Sequence, residues 1–345
     1  MASIKIAGKL RHPGRSNTPP YKTQTECGTF PRIRAMTTHT STTRFDVEFD
    51  SEGTRCSAWH YPSQSDQENS ACIVMAHGLG GTRECGLAPY AERFSAEGYH
   101  VLVFDYRYFG DSDGEPRQLL KVSDQLKDWR AAIDFARQLK GVNSEQIILW
   151  GTSFSGGHVL SIAAEDQRLL AVSAQGPMVD GRAASLEILK YAGPVHLSKL
   201  SSCGLIDQAR ATLGMSPLYI PLIAEPGALA AMTSHDALSG YHAITAPGWR
   251  NEMSARTVLV LSLYRPISKA KKIRCPALIQ VCNKDTVAPA KAAIKMAKLM
   301  PNTATLKQYD IGHFDIYTGK DFDTGIADQL AFYHDALHNA RGMKL

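Results

Sequence analysis

Four short, continuous apolar runs alternate with helical segments in the first half of this 345-residue chain. Their lack of polar alternation is typical of strands that are buried on both faces of a sheet. Two further strand-like runs follow after residue 270, again separated by a helical segment. Strands that alternate with helices predict an α/β fold with a doubly wound, mostly parallel sheet. The six runs are ACIVMAHG, HVLVFDYR, QIILWGTS, LLAVSAQGP, CPALIQVC and ATLKQYD.

The remaining segments complete the predicted order. Alternating stretches at 44–50 and 55–61, joined by a turn at 51–53, predict an antiparallel pair ahead of the parallel strands. Apolar residues at helical spacing, bounded by glycines, predict the helices. These helices lie near 87–96, 122–139, 156–165, 288–299 and 326–340.

Residues 179–270 interrupt this rhythm and contain six prolines among many Ala, Leu and Ile. A segment of that length is too long for a plain loop. We therefore predict a helical cap at 179–270 over the active end of a core formed by 41–178 and 271–345. Because such sheets bind ligands beyond the carboxyl ends of their strands, the residues directly after each strand are the candidates for chemistry.

Residues 1–40 differ in composition from the rest of the chain. The first 35 residues carry seven Lys and Arg and one acidic residue, whereas the other 310 carry 31 basic and 32 acidic residues. The net charge of +5 therefore comes from a basic extension, which we predict to be disordered, and does not indicate a nucleic-acid partner. An organelle transit peptide and a natural start at Met36 are both compatible with this extension.

The seven cysteines are scattered and are not spaced as a disulfide framework or a metal cluster would be. No run reaches the roughly 18 apolar residues of a membrane span. We therefore predict a cytoplasmic protein that uses no metal and no organic cofactor. A homodimer stays open, since the sequence carries no signal for the oligomeric state.

Three side chains that acyl transfer requires follow three of the predicted strands. Ser153 ends IILWGTS directly before a helix, Asp285 follows ALIQVC, and His313 follows LKQYD. At such a strand-to-helix turn a serine hydroxyl projects above the sheet, where a histidine takes its proton and a carboxylate orients the histidine. We therefore predict Ser153, Asp285 and His313 as the catalytic residues.

Acyl transfer also needs hydrogen-bond donors for the oxyanion and a surface for the substrate. The predicted donors are the amide of Phe154, at the N-terminus of the following helix, and the amide of Leu79 in HGLGG. Met178 and Trp249 are the predicted substrate-binding residues. Trp249 opens the polar and aromatic stretch WRNEMSAR, which an ion-pair network inside the cap explains equally well.

Other residues compete for two of these roles. Asp180, after SAQGPMV, is an alternative to Asp285, because some hydrolases take the carboxylate from that earlier strand. His313 alone follows the last strand behind a flexible glycine. Its competitors are His77, His158 and His242.

The turn at Ser153 departs from the common G-x-S-x-G pattern, because Ser155 stands where the last glycine belongs. That position needs a small residue, and serine adds only a hydroxymethyl group. Gly156 and Gly157 relieve the packing of the following helix. We therefore interpret Ser155 as a structural variant whose hydroxyl serves a local backbone group.

Five motifs together resemble the α/β-hydrolase superfamily over residues 45–340: HGLGG, FDYRYFGDSDG, WGTSFSGG, NKD and GHFDIY. WGTSFSGG and GHFDIYTGKDF are similar to the subgroup of fungal polyketide transferases and of dienelactone-hydrolase-like or serine-aminopeptidase-like esterases. The resemblance implies the α/β-hydrolase fold and the chain order Ser, Asp, His. There are two departures. Tyr108 replaces a commoner glycine and is expected to narrow the site, and dienelactone hydrolases proper carry cysteine where this chain has Ser153.

We therefore predict a serine hydrolase that cleaves a carboxylic ester or thioester through an acyl-enzyme on Ser153. The apolar cap indicates a small-molecule substrate with a hydrophobic acyl or alcohol part. An acyltransferase or thioesterase of polyketide-type metabolism would use the same three residues. A non-catalytic binding module on the same fold is the alternative from another class.

Overall fold

The computed structural model describes residues 43–65 and 69–342. The predicted extension at 1–40 lies outside the described residues. Ten strands and eight helices are assigned in the described part of the chain. The strands are β1 (Phe45–Ser51), β2 (Thr54–Tyr61), β3 (Ser70–Ala76), β4 (His100–Phe104), β5 (Val142–Thr152), β6 (Ala171–Gln175), β7 (Tyr219–Ile220), β8 (Met253–Ser254), β9 (Ala277–Cys282) and β10 (Ala304–Tyr309). The helices are α1 (Ala88–Ala96), α2 (Val122–Ala136), α3 (Phe154–Ala163), α4 (Gly181–Thr212), α5 (Ala237–Ile244), α6 (Val258–Leu261), α7 (Ala290–Lys298) and α8 (Gly319–Gly342).

Eight of the strands form one sheet in the order β1–β2–β4–β3–β5–β6–β9–β10. The pairings of β2 with β1 and with β4 are antiparallel, and the other five are parallel. The predicted doubly wound, mostly parallel α/β fold is therefore confirmed. The parallel strands β3, β4, β6 and β9 are buried along their whole length, which explains their continuous apolar runs.

Helices cover both faces of the sheet. Side chains of α2, α3 and α7 pack into the apolar core on one face, around Trp129, Leu160 and Met296. Side chains of α1 and α8 form the core of the other face, around Phe94 and Tyr333. With both faces covered, the open positions for a ligand are the carboxyl ends of the parallel strands.

The final helix begins earlier than its apolar spacing predicts. α8 starts at Gly319, seven residues before the predicted start. The apolar spacing does not indicate these seven residues, because they contain only one large apolar side chain, Phe322. The ring of Phe322 packs against Tyr90, with ring centroids 4.7 Å apart. A single contact of this kind gives no repeating pattern in the sequence.

The segment between β6 and β9 carries α4, α5 and α6. α4 bends at Gly193, whose φ of 80° and ψ of 172° are not helical, directly before Pro194. The short strands β7 and β8 pair in antiparallel fashion within this segment, a feature that the sequence pattern did not predict. A separate apolar cluster, which includes Leu222, Tyr241 and Met253, holds the segment together.

Within residues 43–65 and 69–342, no helix is both long enough and apolar enough to cross a membrane. Nor do three or more His, Cys, Asp or Glu side chains in these ranges come together in a group that could hold a metal ion.

Candidate active site

Ser153 occupies a tight turn between β5 and α3, with φ 54° and ψ −118°. A positive φ is costly for a residue with a side chain, so the surrounding structure must hold it. The chain crosses itself closely here: a Cβ at Gly151 would lie 2.4 Å from the Ser155 carbonyl oxygen, and one at Gly156 would lie 2.7 Å from Cβ of Pro177. The two glycines therefore permit the turn that carries Ser153 beyond the sheet edge.

The structure brings Ser153, His313 and Asp285 into one line of hydrogen bonds. The Ser153 hydroxyl donates to Nε2 of His313 at 3.1 Å, and Nδ1 of His313 donates to Oδ2 of Asp285 at 2.5 Å. The amides of Val287 and Ala288 donate to the other Asp285 oxygen at 2.8 and 2.6 Å. The carboxylate is thus oriented by its own loop, and it fixes the tautomer of His313 in turn.

The electrostatic environment keeps His313 basic. Burial lowers the pKa of the imidazole, but the charge and hydrogen bond of Asp285, together with the charge of Asp236, outweigh burial and raise that pKa above its ordinary value. A histidine with a raised pKa accepts a proton from a serine more readily.

The two predicted oxyanion donors face no competing acceptor. Among residues 43–65 and 69–342, no protein group accepts a hydrogen bond from the amide of Leu79 or of Phe154. The carbonyl of Gly78 accepts a hydrogen bond from Nδ1 of His77 at 3.0 Å. Because the peptide between Gly78 and Leu79 is planar, holding this carbonyl also orients the Leu79 amide. Burial lowers the pKa of His77 to about 4, so this histidine is neutral at pH 7.

Ser155 has a different partner from the one predicted. Its hydroxyl is fully buried and lies 2.7 Å from the hydroxyl of Tyr106, which accepts a hydrogen bond from the Trp129 indole at 2.8 Å. The predicted partner, a local backbone group, is wrong because Tyr106 comes from the loop after β4 and reaches the turn through the tertiary fold.

A cavity of about 370 Å³ opens beside Ser153. Met178, Leu79 and Phe154 line it on the core side. The segment between β6 and β9, predicted as the cap, supplies most of its remaining wall, through apolar side chains of α4, α6 and the residues between them, including Ala184, Leu200, Met232 and Leu261. A mostly apolar cavity with a nucleophile at one end suits a ligand with a hydrophobic part.

Trp249 does not line this cavity. Its indole nitrogen donates to the carbonyl of Gly80 at 2.9 Å, so the ring lies against the HGLGG loop. The stretch that follows Trp249 forms no α-helix. Arg250 pairs with Glu252 within it, and Arg256 lies 3.5 Å from Asp207 of α4.

Two of the competing residues, Asp180 and His158, lie in other hydrogen-bonded networks. Asp180 caps α4 and binds Arg265 through two hydrogen bonds of 2.9 Å. His158 lies between Tyr264 and Gln125, fully buried under the turn. His242 stands on the exposed side of α5. Asp285 and His313 are thus the acid and base candidates that reach Ser153.

Tyr108 is also absent from the cavity wall. It takes the left-handed backbone conformation that glycine favours, with φ 72°, and its hydroxyl donates to Asp124 at 3.2 Å. Its ring packs over Gly114, where an added Cβ would lie 2.6 Å away. The structure therefore places this departure from the common motif in a turn outside the cavity.

Sequence reasoning missed two groups near the site. Asp236, just before α5, acts on His313 by its charge. Tyr241 in α5 donates a hydrogen bond to the carbonyl of Leu79 at 2.7 Å. Tyr241 lies 162 residues from Leu79 in the chain, and no local pattern signals such a contact.

Comparisons with known proteins assign the chain to a family. The family described as serine aminopeptidase, S33, matches residues 67–318. The chain belongs to this α/β-hydrolase family. The quorum-quenching protein AidA of Acinetobacter baumannii is 46% identical to it over 289 residues, which are 83% of this chain and 93% of that protein.

More distant relatives share the architecture. The thiohydrolase aneE of Aspergillus aculeatus is 26% identical over 291 residues, which are 81% of this chain and 89% of that protein. The crystal structure of the α/β-hydrolase GrgF from Penicillium sp. sh18 matches with a TM-score of 0.72 at 24% identity, covering 85% of this chain and 99% of that one, and this likeness shows the fold. The family and its hydrolase-named members confirm the predicted enzyme class, an α/β-hydrolase acting on ester bonds.

Proposed function

We propose that this hydrolase cleaves a carboxylic ester or thioester with a hydrophobic acyl or alcohol part, through an acyl-enzyme on Ser153. The observation that carries the proposal is the position of the Ser153 hydroxyl. It lies within hydrogen-bond distance of His313, and Ser153 borders the apolar cavity of about 370 Å³. The nucleophile, the base and the hydrophobic binding surface thus meet at the Ser153 hydroxyl.

The first half of the reaction makes the acyl-enzyme. Nε2 of His313 takes the Ser153 proton as Oγ attacks the carbonyl carbon, and Asp285 stabilises the imidazolium that forms. The amides of Leu79 and Phe154 stabilise the oxyanion of the tetrahedral intermediate. His313 then gives its proton to the departing alcohol or thiol, and the acyl group stays on Ser153.

In the second half, water is the proposed acceptor. A small pocket of about 20 Å³ borders both Ser153 and His313, and that volume holds about one water molecule. His313 takes a proton from this water as its oxygen attacks the acyl carbon, and then returns the proton to Ser153 as the acid leaves. The same acyl-enzyme would serve an acyltransferase, and polyketide transferases are among the relatives. Adding an alcohol or thiol acceptor and measuring ester against acid product separates the two outcomes.

The relatives' names suggest which substrates to test first. One relative is named as quorum-quenching and another as a thiohydrolase. We infer that a bacterial signal with an ester linkage and an acyl thioester are both candidates for this chain. The test panel therefore contains linear esters of graded acyl length, lactones and thioesters.

The deciding experiment compares the wild type with Ser153→Ala. Both are treated with a fluorophosphonate probe and assayed on the panel. Ser202→Ala is the matched control, since Ser202 is an exposed serine of α4. We expect labelling and turnover in the wild type and the control, and neither in Ser153→Ala. Equal labelling of Ser153→Ala would remove the nucleophile assignment. A wild type that is neither labelled nor active would favour a binding module on this fold.

A further inference from the structure

The cap helix α5 contacts two loops that carry the triad residues. Asp236, directly before α5, accepts a hydrogen bond from the Thr286 hydroxyl at 2.5 Å, next to Asp285. Gly240 lies against the ring of Phe314, where an added Cβ would be 2.3 Å from the nearest ring carbon. The helix is thus seated closely on the core at both places.

α5 also contacts the oxyanion loop, HGLGG. The Tyr241 hydroxyl donates to the carbonyl of Leu79 at 2.7 Å, and the Trp249 indole donates to the next carbonyl, that of Gly80, at 2.9 Å. The two rings are stacked, with centroids 4.9 Å apart and planes at 25°. Two successive carbonyls of the loop are therefore held by one pair of stacked rings from the cap.

Together with His77 from the core, these two side chains restrain three successive carbonyls of the HGLGG loop. His77 holds the carbonyl of Gly78, while Tyr241 and Trp249 hold those of Leu79 and Gly80. Each held carbonyl fixes one peptide plane, so the planes on both sides of the Leu79 α-carbon are set. His77 and Tyr241 restrain the two planes that flank the Leu79 α-carbon, and Trp249 restrains the next plane along the loop. A loose plane in this run would let the Leu79 amide change direction, and an oxyanion donor is effective only when it is aimed in advance.

We propose that Tyr241 and Trp249 are positioning residues that keep the Leu79 amide aimed at the oxyanion, so that the seated cap completes the catalytic site. The inference rests on the proposed function, because it needs an oxyanion at Ser153. Neither side chain lines the large cavity, and Tyr241 instead borders the small pocket beside Ser153 and His313, so their effect is on the rate of the chemical step rather than on the binding of the hydrophobic part.

The test uses Tyr241→Phe and Trp249→Phe, which keep an aromatic ring and remove the donor. Tyr219→Phe is the matched control, because Tyr219 also lies in the cap and donates to a core carbonyl, that of Arg117, at 3.1 Å. We expect each of the two variants to lower kcat about 10-fold with KM nearly unchanged, one order of magnitude short of removing an oxyanion donor outright. The control should keep the wild-type kcat.

Esters of different acyl chain length distinguish a loss of amide positioning from a general loosening of the cap. The kcat loss should be the same for short and long acyl esters, since the oxyanion does not sense the chain. A loss that grows with chain length, a rise in KM alone, or a Tyr219→Phe loss of equal size would overturn the inference.

The rate of fluorophosphonate labelling is measured in parallel, because phosphonylation of Ser153 uses the same donors. A wild type that is labelled but cleaves no ester refutes the proposed substrates, and the positioning inference is then decided by whether Tyr241→Phe is labelled about 10-fold more slowly. A wild type that is neither labelled nor active overturns both.

Discussion

Replacing Ser155 should cost stability and leave the chemistry intact. Trp129 donates to the Tyr106 hydroxyl oxygen, and the Ser155 hydroxyl is the second partner of that oxygen, so we expect the Tyr106 proton to point at Ser155. Ser155→Ala removes that acceptor and leaves a buried O–H unpaired, because Tyr106 is only 1% exposed. A buried unpaired hydroxyl costs about 1–3 kcal/mol of the free energy of unfolding.

Ser155→Gly restores the commoner motif but should be less stable still. Glycine in a helix costs about 0.5–1 kcal/mol relative to alanine, because more backbone freedom is lost on folding. The hydrogen bond of the Ser155 hydroxyl is with Tyr106 rather than with Ser153, Asp285 or His313, so we expect little change in kcat/KM for either variant. Urea unfolding followed by circular dichroism measures the stability, and ester hydrolysis measures the activity.

Ser161→Ala provides the matched control. Ser161 lies in the same helix, and its buried hydroxyl also meets a tyrosine hydroxyl, that of Tyr264 at 3.2 Å. Tyr264 keeps His158 as a second partner at 2.6 Å, so the loss at Ser161 should be smaller than at Ser155. Equal losses in the two variants, or a Ser155→Gly variant as stable as the wild type, would refute the role assigned to the Tyr106 proton.

Three further predictions follow from the site geometry. Asp285→Asn should lower kcat by about 10⁴, as expected when a triad carboxylate is lost, whereas Asp180→Asn should affect stability more than rate; the opposite order would move the acid role to Asp180. The kcat/KM profile should lose activity as pH falls through the raised pKa of His313, with a midpoint above the ordinary 6.5, and a midpoint below 6.5 would contradict the dominance of Asp285 over burial. Ala184→Phe should reduce kcat/KM for long acyl esters and spare acetates, since Ala184 lines the cavity; an equal loss for every chain length would count against a chain bound there.

The sheet and the ends of its strands could be predicted because both depend on local patterns. A strand that is buried on both faces needs a continuous apolar run, and the carboxyl ends of parallel strands meet at one edge. Ser153 and Asp285 each follow such a run, and His313 follows the edge strand β10, so their meeting follows from topology. The structure adds what topology does not contain, namely which atoms of the three side chains form each hydrogen bond.

The segment between β6 and β9 was predicted as an inserted cap, but its internal order could not be predicted from the sequence. β7 and β8 contain two residues each, which is too short for any periodic signal. Trp249 shows the same limit at the level of one side chain. Its position in the cap suggested contact with substrate, whereas its indole nitrogen binds the Gly80 carbonyl, 169 residues away in the chain. Contacts of this kind depend on how the cap is seated, which no local pattern encodes.

The site is divided between the ends of the sheet strands and the segment between β6 and β9, and this division determines how two proteins of this fold could be recombined. The serine, histidine and aspartate belong to the core, while α4 and α6 provide much of the cavity wall. A chimera that receives a foreign cap would therefore receive a new cavity together with the old reacting groups. It would also inherit the donor's version of α5 and lose the hydrogen bonds from Tyr241 and Trp249 to the HGLGG loop. A graft that keeps these hydrogen bonds must carry the HGLGG loop and residues 237–249 as one matched unit.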